Sequence, residues 1–316
     1  MTTIALLGVP TAAGAHSPGQ EKAPALLREA GLPERLARAG LAVNDLGDLP
    51  VAPFVVDRTE RRAQNAPAVT AVARAVAGAV RPAARRDERL LVVGGDCTIL
   101  LGVVAGLLYA GDPGDRLGLA YLDAHPDLNT PVGVVQGALD WMGLAHLLGE
   151  ATAVEQLSHL GPRFPLLDDD EVALLGVIPS EVTEWEREVI ARRGLHQVSC
   201  DELAADPAGI ADLVGRRLED HAGRFAVHFD VDAIDYVDFP IADNAYQRNQ
   251  GLTLGQALET VAALAGRPGF AGLVVSQVNP DHLEDRERQA VTFAGGLALA
   301  VAGDVESARG LSIGSP

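Results

Sequence analysis

The feature that most constrains this chain is a repeated alternation of a short apolar run, a turn, and a longer segment of helical period. The runs at 4–9, 90–93, 117–122, 172–178, 225–231 and 272–277 are β-branched or Leu-rich, which predicts strands covered on both faces. Segments 24–38, 68–80, 254–265 and 290–301 carry Leu, Ala and Val at helical spacing. Strands alternating with helices predict a mainly parallel sheet with helices on both sides. No Ser/Gly tract, charge block, low-complexity run or internal repeat interrupts the 316 residues. Residues 1–316 are therefore expected to form one large α/β domain.

The formal net charge of −18 argues against nucleic acid and against an anionic membrane surface, both of which require a basic patch. The N-terminal stretch lacks a basic region before its apolar run, so it reads as a first strand and not as a signal peptide. Two cysteines, Cys97 and Cys200, do not make a disulfide framework. A cytoplasmic location, a small-molecule substrate, and no nucleic-acid or membrane partner are expected.

In such sheets ligands sit beyond the carboxyl ends of the strands. Those ends read GGDC (94–97), DAHPDLN (123–129), DVDAID (230–235) and QVNP (277–280). If strand geometry persists, Asp123, His125 and Asp127 point the same way, as do His228, Asp230 and Asp232. Carboxylates packed this close repel unless a divalent cation supplies positive charge. Oxygen-rich ligation with one or two imidazoles suits Mn2+, and Zn2+ or Fe2+ less clearly. Carboxylates able to bridge allow two ions about 3.5–4 Å apart.

At these residues the chain resembles the ureohydrolase superfamily of arginase, agmatinase and formimidoylglutamase. The family's GGDH, DAHxD and SxDxDxxDP strand ends stand here as GGDCT (94–98), DAHPD (123–127) and HFDVDAID (228–235). GQEKAPALLREAGLPERL (19–36), DLGDLP (45–50), GLT (251–253) and QVNP (277–280) extend the likeness along nearly the whole chain. The resemblance implies a three-layer α/β/α sandwich, assembled as trimers or hexamers, and two Mn2+ ions sharing a hydroxide that attacks a guanidinium or amidine carbon. It implies that Asp123 and Asp230 bridge the ions. His125 and Asp232 complete one shell, and Asp127 holds the other ion and moves the proton.

Four departures fall in the site. Cys97 replaces the family's His ligand; as a thiolate it shifts preference toward Zn2+ or Fe2+, and as a thiol it leaves that position weak. Gln277 replaces the Glu that pairs with the guanidinium, and a neutral amide loses the charge-assisted bond. QGALDWMG (136–143) stands where the family has SGNxHGMP, which puts Asp140 at the place of the proton-shuttling His. Tyr236 replaces a Pro, and Arg248, in the altered stretch that follows, is a candidate for a substrate carboxylate. The expected activity is hydrolysis of a C–N bond in an amidino, ureido or amide substrate other than plain arginine, with a metal-bound hydroxide as nucleophile. Asp127, Asp140 and His228 are the candidate proton movers; Gln277, Arg248 and Asn129 are the candidate substrate contacts. Cys97, Asp123, His125, Asp127, Asp230 and Asp232 are the candidate ligands of one or two Mn2+ ions. Two alternatives stay open: a mononuclear, deacetylase-like amide hydrolase, and a lapsed enzyme acting as a binding or assembly subunit.

Overall fold

The computed structural model describes residues 2–244 and 249–311. Eight parallel strands form one sheet: β1 (Thr3–Val9), β2 (Ala42–Asp48), β3 (Arg89–Gly94), β4 (Gly118–Leu122), β5 (Val172–Val177), β6 (His196–Ser199), β7 (Phe225–Asp230) and β8 (Phe270–Ser276). Their order is β2-β1-β3-β8-β7-β4-β5-β6. All six predicted strands are present. The two that the apolar runs did not predict, β2 and β6, are the edges, where partial exposure removes the need for such a run.

Alternation along each strand divides the core in two. Ile4, Leu6, Leu91, Val93, Ala120 and Leu122 pack with helices Ala23–Glu29, Leu32–Arg38, Pro207–Ala222, Leu254–Ala265 and Arg286–Val301. Ala5, Leu7, Leu90, Val92, Leu119 and Tyr121 pack with Ala66–Ala84, Ile99–Ala110 and Glu184–Arg193 on the other face. The result is the expected α/β/α sandwich. One expected element is corrected: segment 24–38 is two helices, because Gly31 takes a left-handed conformation (φ 76°) between them.

The topology determines where chemistry can gather. β3, β8, β7 and β4 lie side by side in the middle of the sheet, so the four chemistry-bearing strand ends are neighbours. The register pairs Asp230 with Ser276 and Leu122 with Phe229, which sets Asp123 beside Asp230. The β8 end is tied to the β3 end by a hydrogen bond from the Gln277 amide to the Gly95 carbonyl at 2.9 Å. Gly95 allows a close backbone crossing there, since a Cβ would meet the Thr11 carbonyl at 1.5 Å. Among the described residues no helix is long and apolar enough to cross a membrane.

Candidate metal centre

Each acidic strand end is closed by the same local device. Asp123 Oδ1 accepts from the His125 amide at 2.6 Å, and Asp230 Oδ1 accepts from the Asp232 amide at 2.8 Å. The aspartate therefore caps its own turn and leaves its second oxygen toward the site. The alternation expected of Asp123, His125 and Asp127 is corrected here. β4 stops at Leu122, and Asp127 sits on a bend with φ 50°. A turn, not a pleat, delivers these side chains.

Two groups of metal-binding side chains result, and they share Asp123. In one, Cys97, Asp123, His228 and Asp230 each place a ligand atom within 4.8 Å of the others; in the other, Asp123, His125 and Asp232 do so. His125 Nδ1 lies 3.1 Å from Asp232 Oδ2 and 3.4 Å from Asp123 Oδ1. The Cys97 thiol donates to Asp230 Oδ2 at 2.8 Å. Asp127 belongs to neither group; its Oδ2 accepts from the Tyr121 hydroxyl at 2.5 Å.

Burial dominates the electrostatics. Desolvation, then repulsion from Asp232, raises the Asp123 carboxyl to about 7. Desolvation and neighbouring carboxylates hold Asp127 and Asp230 well above the usual range. The Cys97 thiol is pushed well up for the same two reasons. Burial works against ionisation of Asp232 too, but the His125 imidazole outweighs it and lowers that carboxyl. Desolvation lowers His228 to about 3 and keeps it a neutral imidazole. Asp123 Oδ2, Asp232 Oδ1 and His228 Nδ1 are buried with no hydrogen-bond partner. Orphaned acceptors between converging acids cost free energy in a water-only pocket and fit divalent cations, which draw the carboxylates back to their ionised form.

The groups open onto a cleft of about 370 Å3. Asp127, Asp140, Glu181, Glu186, Asp230 and Asp232 line it, with no lysine or arginine among the described lining residues. Gln277, bent into a left-handed conformation (φ 64°), accepts from Gln20 Nε2 at 2.6 Å and turns its own Nε2 toward Asp140 Oδ2 at 3.4 Å. Asp140 is buried and meets His16 Nδ1 at 3.1 Å. Asn129 lines the cleft, but its amide is committed to Glu186 at 2.8 Å and to the Thr183 hydroxyl at 3.2 Å. Arg248 lies outside the described residues. His228 is fully buried in β7 and does not line the cleft.

Sequence reasoning missed Tyr121, Glu186, His16, Gln20 and Asn244, whose Nδ2 donates to Asp232 Oδ2 at 2.8 Å. For Tyr121 a signal existed: a polar tip in an apolar run, two positions before Asp123 and hence on its face. His16 and Asn244 come from loops, Gln20 from a short 3-10 turn, and Glu186 from the first turn of helix Glu184–Arg193, where no apolar periodicity marks the inward positions.

The likeness to known proteins runs the length of this architecture. A model of the Arginase family matches residues 2–301. Arginase from Bacillus caldovelox is 30% identical over 245 residues, which span 76% of this chain and 79% of that protein. The native structure of the Bacillus caldovelox arginase superposes with a TM-score of 0.82 at 27% identity, covering 99% of this chain and 100% of that one. Formimidoylglutamase from Bacillus subtilis superposes with a TM-score of 0.74 over 96% of this chain and 87% of its own; at 19% identity this is a likeness of fold.

Proposed function

The chain belongs to the arginase family of the ureohydrolase superfamily, whose members hydrolyse carbon–nitrogen bonds, and from that premise we propose the activity of this member. It is a metal-dependent hydrolase whose small-molecule substrate presents a ureido, amide or uncharged amidine carbon, not the guanidinium of plain arginine. The hydrolytic part rests on the two ligand groups that share Asp123. Divalent ions held there supply Lewis acidity and lower the pKa of a water from about 15.7 toward about 7. Mn2+ is the family's ion, and the thiol of Cys97 extends the choice to Zn2+ or Fe2+.

The chain's own groups do the rest. Asp127 faces the cleft and takes and returns the proton. Tyr121 fixes that carboxyl through its 2.5 Å hydrogen bond. Gln20 occupies the carbonyl oxygen of Gln277, and the Gln277 Nε2 donates to Asp140 Oδ2 at 3.4 Å and to Cys97 Sγ at 3.5 Å, long contacts that a substrate oxygen would replace. An N–H donor matches the oxygen of an amide or ureido group and clashes with the N–H edge of a guanidinium. Asp140, paired with His16, anchors Gln277 and stands ready to accept from the leaving nitrogen.

The test is a screen of the metal-loaded protein on amide, ureido, amidine and guanidino compounds, reading ammonia and urea. Turnover of one of the first three classes, with arginine slower by about a hundredfold or more (about 2.7 kcal/mol in the barrier), is expected. Urea release from arginine at ordinary enzyme rates sinks the substrate reading. A second reading follows from the 2.8 Å hydrogen bond between the Cys97 thiol and Asp230. If that proton is retained, only the Asp123, His125 and Asp232 group is filled and the protein is a mononuclear amide hydrolase; one ion per chain in elemental analysis supports it, and two exclude it. Assembly as a trimer or hexamer is part of the proposal and is checked by mass in solution.

A further inference from the structure

We propose that His228 is a metal ligand and that, with the thiolate of Cys97, it makes one of the two ion positions chemically unlike the other. The inference rests on the reading that divalent ions occupy this centre. It goes beyond it by assigning a ligand, and a metal class, to one half.

Three observations carry it. First, placement: on β7, His228 and Asp230 alternate with Val227 and Phe229 and so share the face of Tyr121 on β4, Asp123 follows directly on the end of β4, and Ser276 on β8 stands opposite Asp230 in the register. Cys97 joins them from the turn that leads into helix Ile99–Ala110 on the same side. Second, convergence: His228 Nε2 is 3.9 Å from Asp123 Oδ2 and 3.5 Å from Ser276 Oγ, and Cys97 Sγ is 3.2 Å from the same Ser276 hydroxyl. Third, cost: His228 is 0% exposed, its Nδ1 has no hydrogen-bond partner, and Asp123 Oδ2, which faces its other nitrogen, has none either. A buried polar group left this way costs about 1–3 kcal/mol. Stacking on Tyr121, with centroids 4.4 Å apart, holds the ring but satisfies neither nitrogen.

The donor chemistry sets the metal class. One thiolate, one imidazole and two carboxylates are a four-ligand set of the kind that takes Zn2+, and thiolate selects it over Mn2+. The neighbouring group, Asp123, His125 and Asp232, is one imidazole and two carboxylates, and His125 retains 18% of its side-chain exposure. It suits a harder, more exchangeable ion such as Mn2+. Filling the first position releases the Cys97 proton to solvent as the sulfur–metal bond forms.

Cobalt is the probe, because thiolate ligation gives Co2+ an intense near-ultraviolet charge-transfer band. The full chain, stripped with chelator, is titrated with Co2+. Expected is a band that saturates at one Co2+ per chain, is bleached by stoichiometric Zn2+, and survives a large excess of Mn2+. Cys97→Ser should abolish the band. His228→Asn and His228→Gln should weaken the affinity read from it by about tenfold or more, with circular dichroism confirming that each variant is folded. Co2+ binding without the band overturns the proposal and leaves the metal-hydrolase reading standing. A band with unchanged affinity in both folded His228 variants overturns the role of His228. Failure to bind Co2+, Zn2+ or Mn2+ at all sinks both readings together.

Discussion

Glu171 and Asp123 are equally buried carboxylates in opposite surroundings. Glu171 lies at the start of β5 between two guanidiniums, accepting from Arg116 Nε at 2.8 Å and from Arg163. Glu150 is likewise held by Arg192 and Arg193, and Glu259 by Arg309. Asp123, 1% exposed, pairs with His125 and meets the neutral imidazole of His228, and its neighbours are Asp230 and Asp232. Where a carboxylate supports the fold, the chain supplies the compensating charge itself. Where it does not, the missing charge is the signature of a ligand that brings it. The formal charge of −18 hides this distinction, because both kinds of acid count alike.

Four measurements break or sharpen the contrast. The largest effect is expected for Asp123→Asn, which replaces the carboxylate common to both ligand groups with a neutral amide. Metal content should fall toward zero and turnover by about a thousandfold or more, about 4 kcal/mol in the barrier. Near-normal turnover in this variant would dissolve the contrast. Next, Glu171→Gln removes the buried acceptor charge between two half-buried arginines that keep Asp168 and Asp170 as partners, and should destabilise the protein by about 1–2 kcal/mol in urea denaturation, with metal content unchanged. A loss of metal there instead would mean that the two kinds of acid are not separable.

The third measurement reverses the sign. In the metal-free protein burial lifts the Asp123 carboxyl to about 7, above the roughly 3.9 of an unfolded aspartate. Between those values the folded state keeps a proton that the unfolded state has lost, so this group's contribution to stability falls as pH rises. Metal-free Asp123→Asn should therefore become more stable than metal-free wild type as pH climbs from about 4 to about 7, by on the order of a few kcal/mol. Paired thermal melts across that range read it, and a gap that shrinks with rising pH contradicts it. The smallest effect is that of Tyr121→Phe. Removing the hydroxyl that holds Asp127 should lower kcat by about tenfold, about 1.4 kcal/mol, with both ions retained. Loss of an ion would make Tyr121 part of the metal shell, not a support for the proton carrier.

Much of the centre was legible in the sequence. Asp123, His125, Asp230 and Asp232 follow directly on buried apolar runs, and a run of that kind predicts both the strand and where it ends. Asp127 was found by its spacing, but through the wrong geometry, because a left-handed bend leaves no trace in a hydrophobic pattern. Gln277 and Asp140 were read as separate replacements, one a candidate substrate contact and the other a candidate proton mover. Placed together, with Gln20 and His16 behind them, they form a hydrogen-bonded unit at the wall of the cleft.

Local sequence alone determined the alternation of strands and helices, the acidic ends of the central strands and the shortage of basic partners there, since each depends on residues a few positions apart. The tertiary structure decided which strand ends meet. Parallel neighbours are chosen by how the crossover helices pack, so nothing local in the chain says that β8 and β7 insert between β3 and β4. That insertion brings Cys97, Asp123, His228 and Asp230 within reach of one ion, although up to 133 positions separate them along the chain.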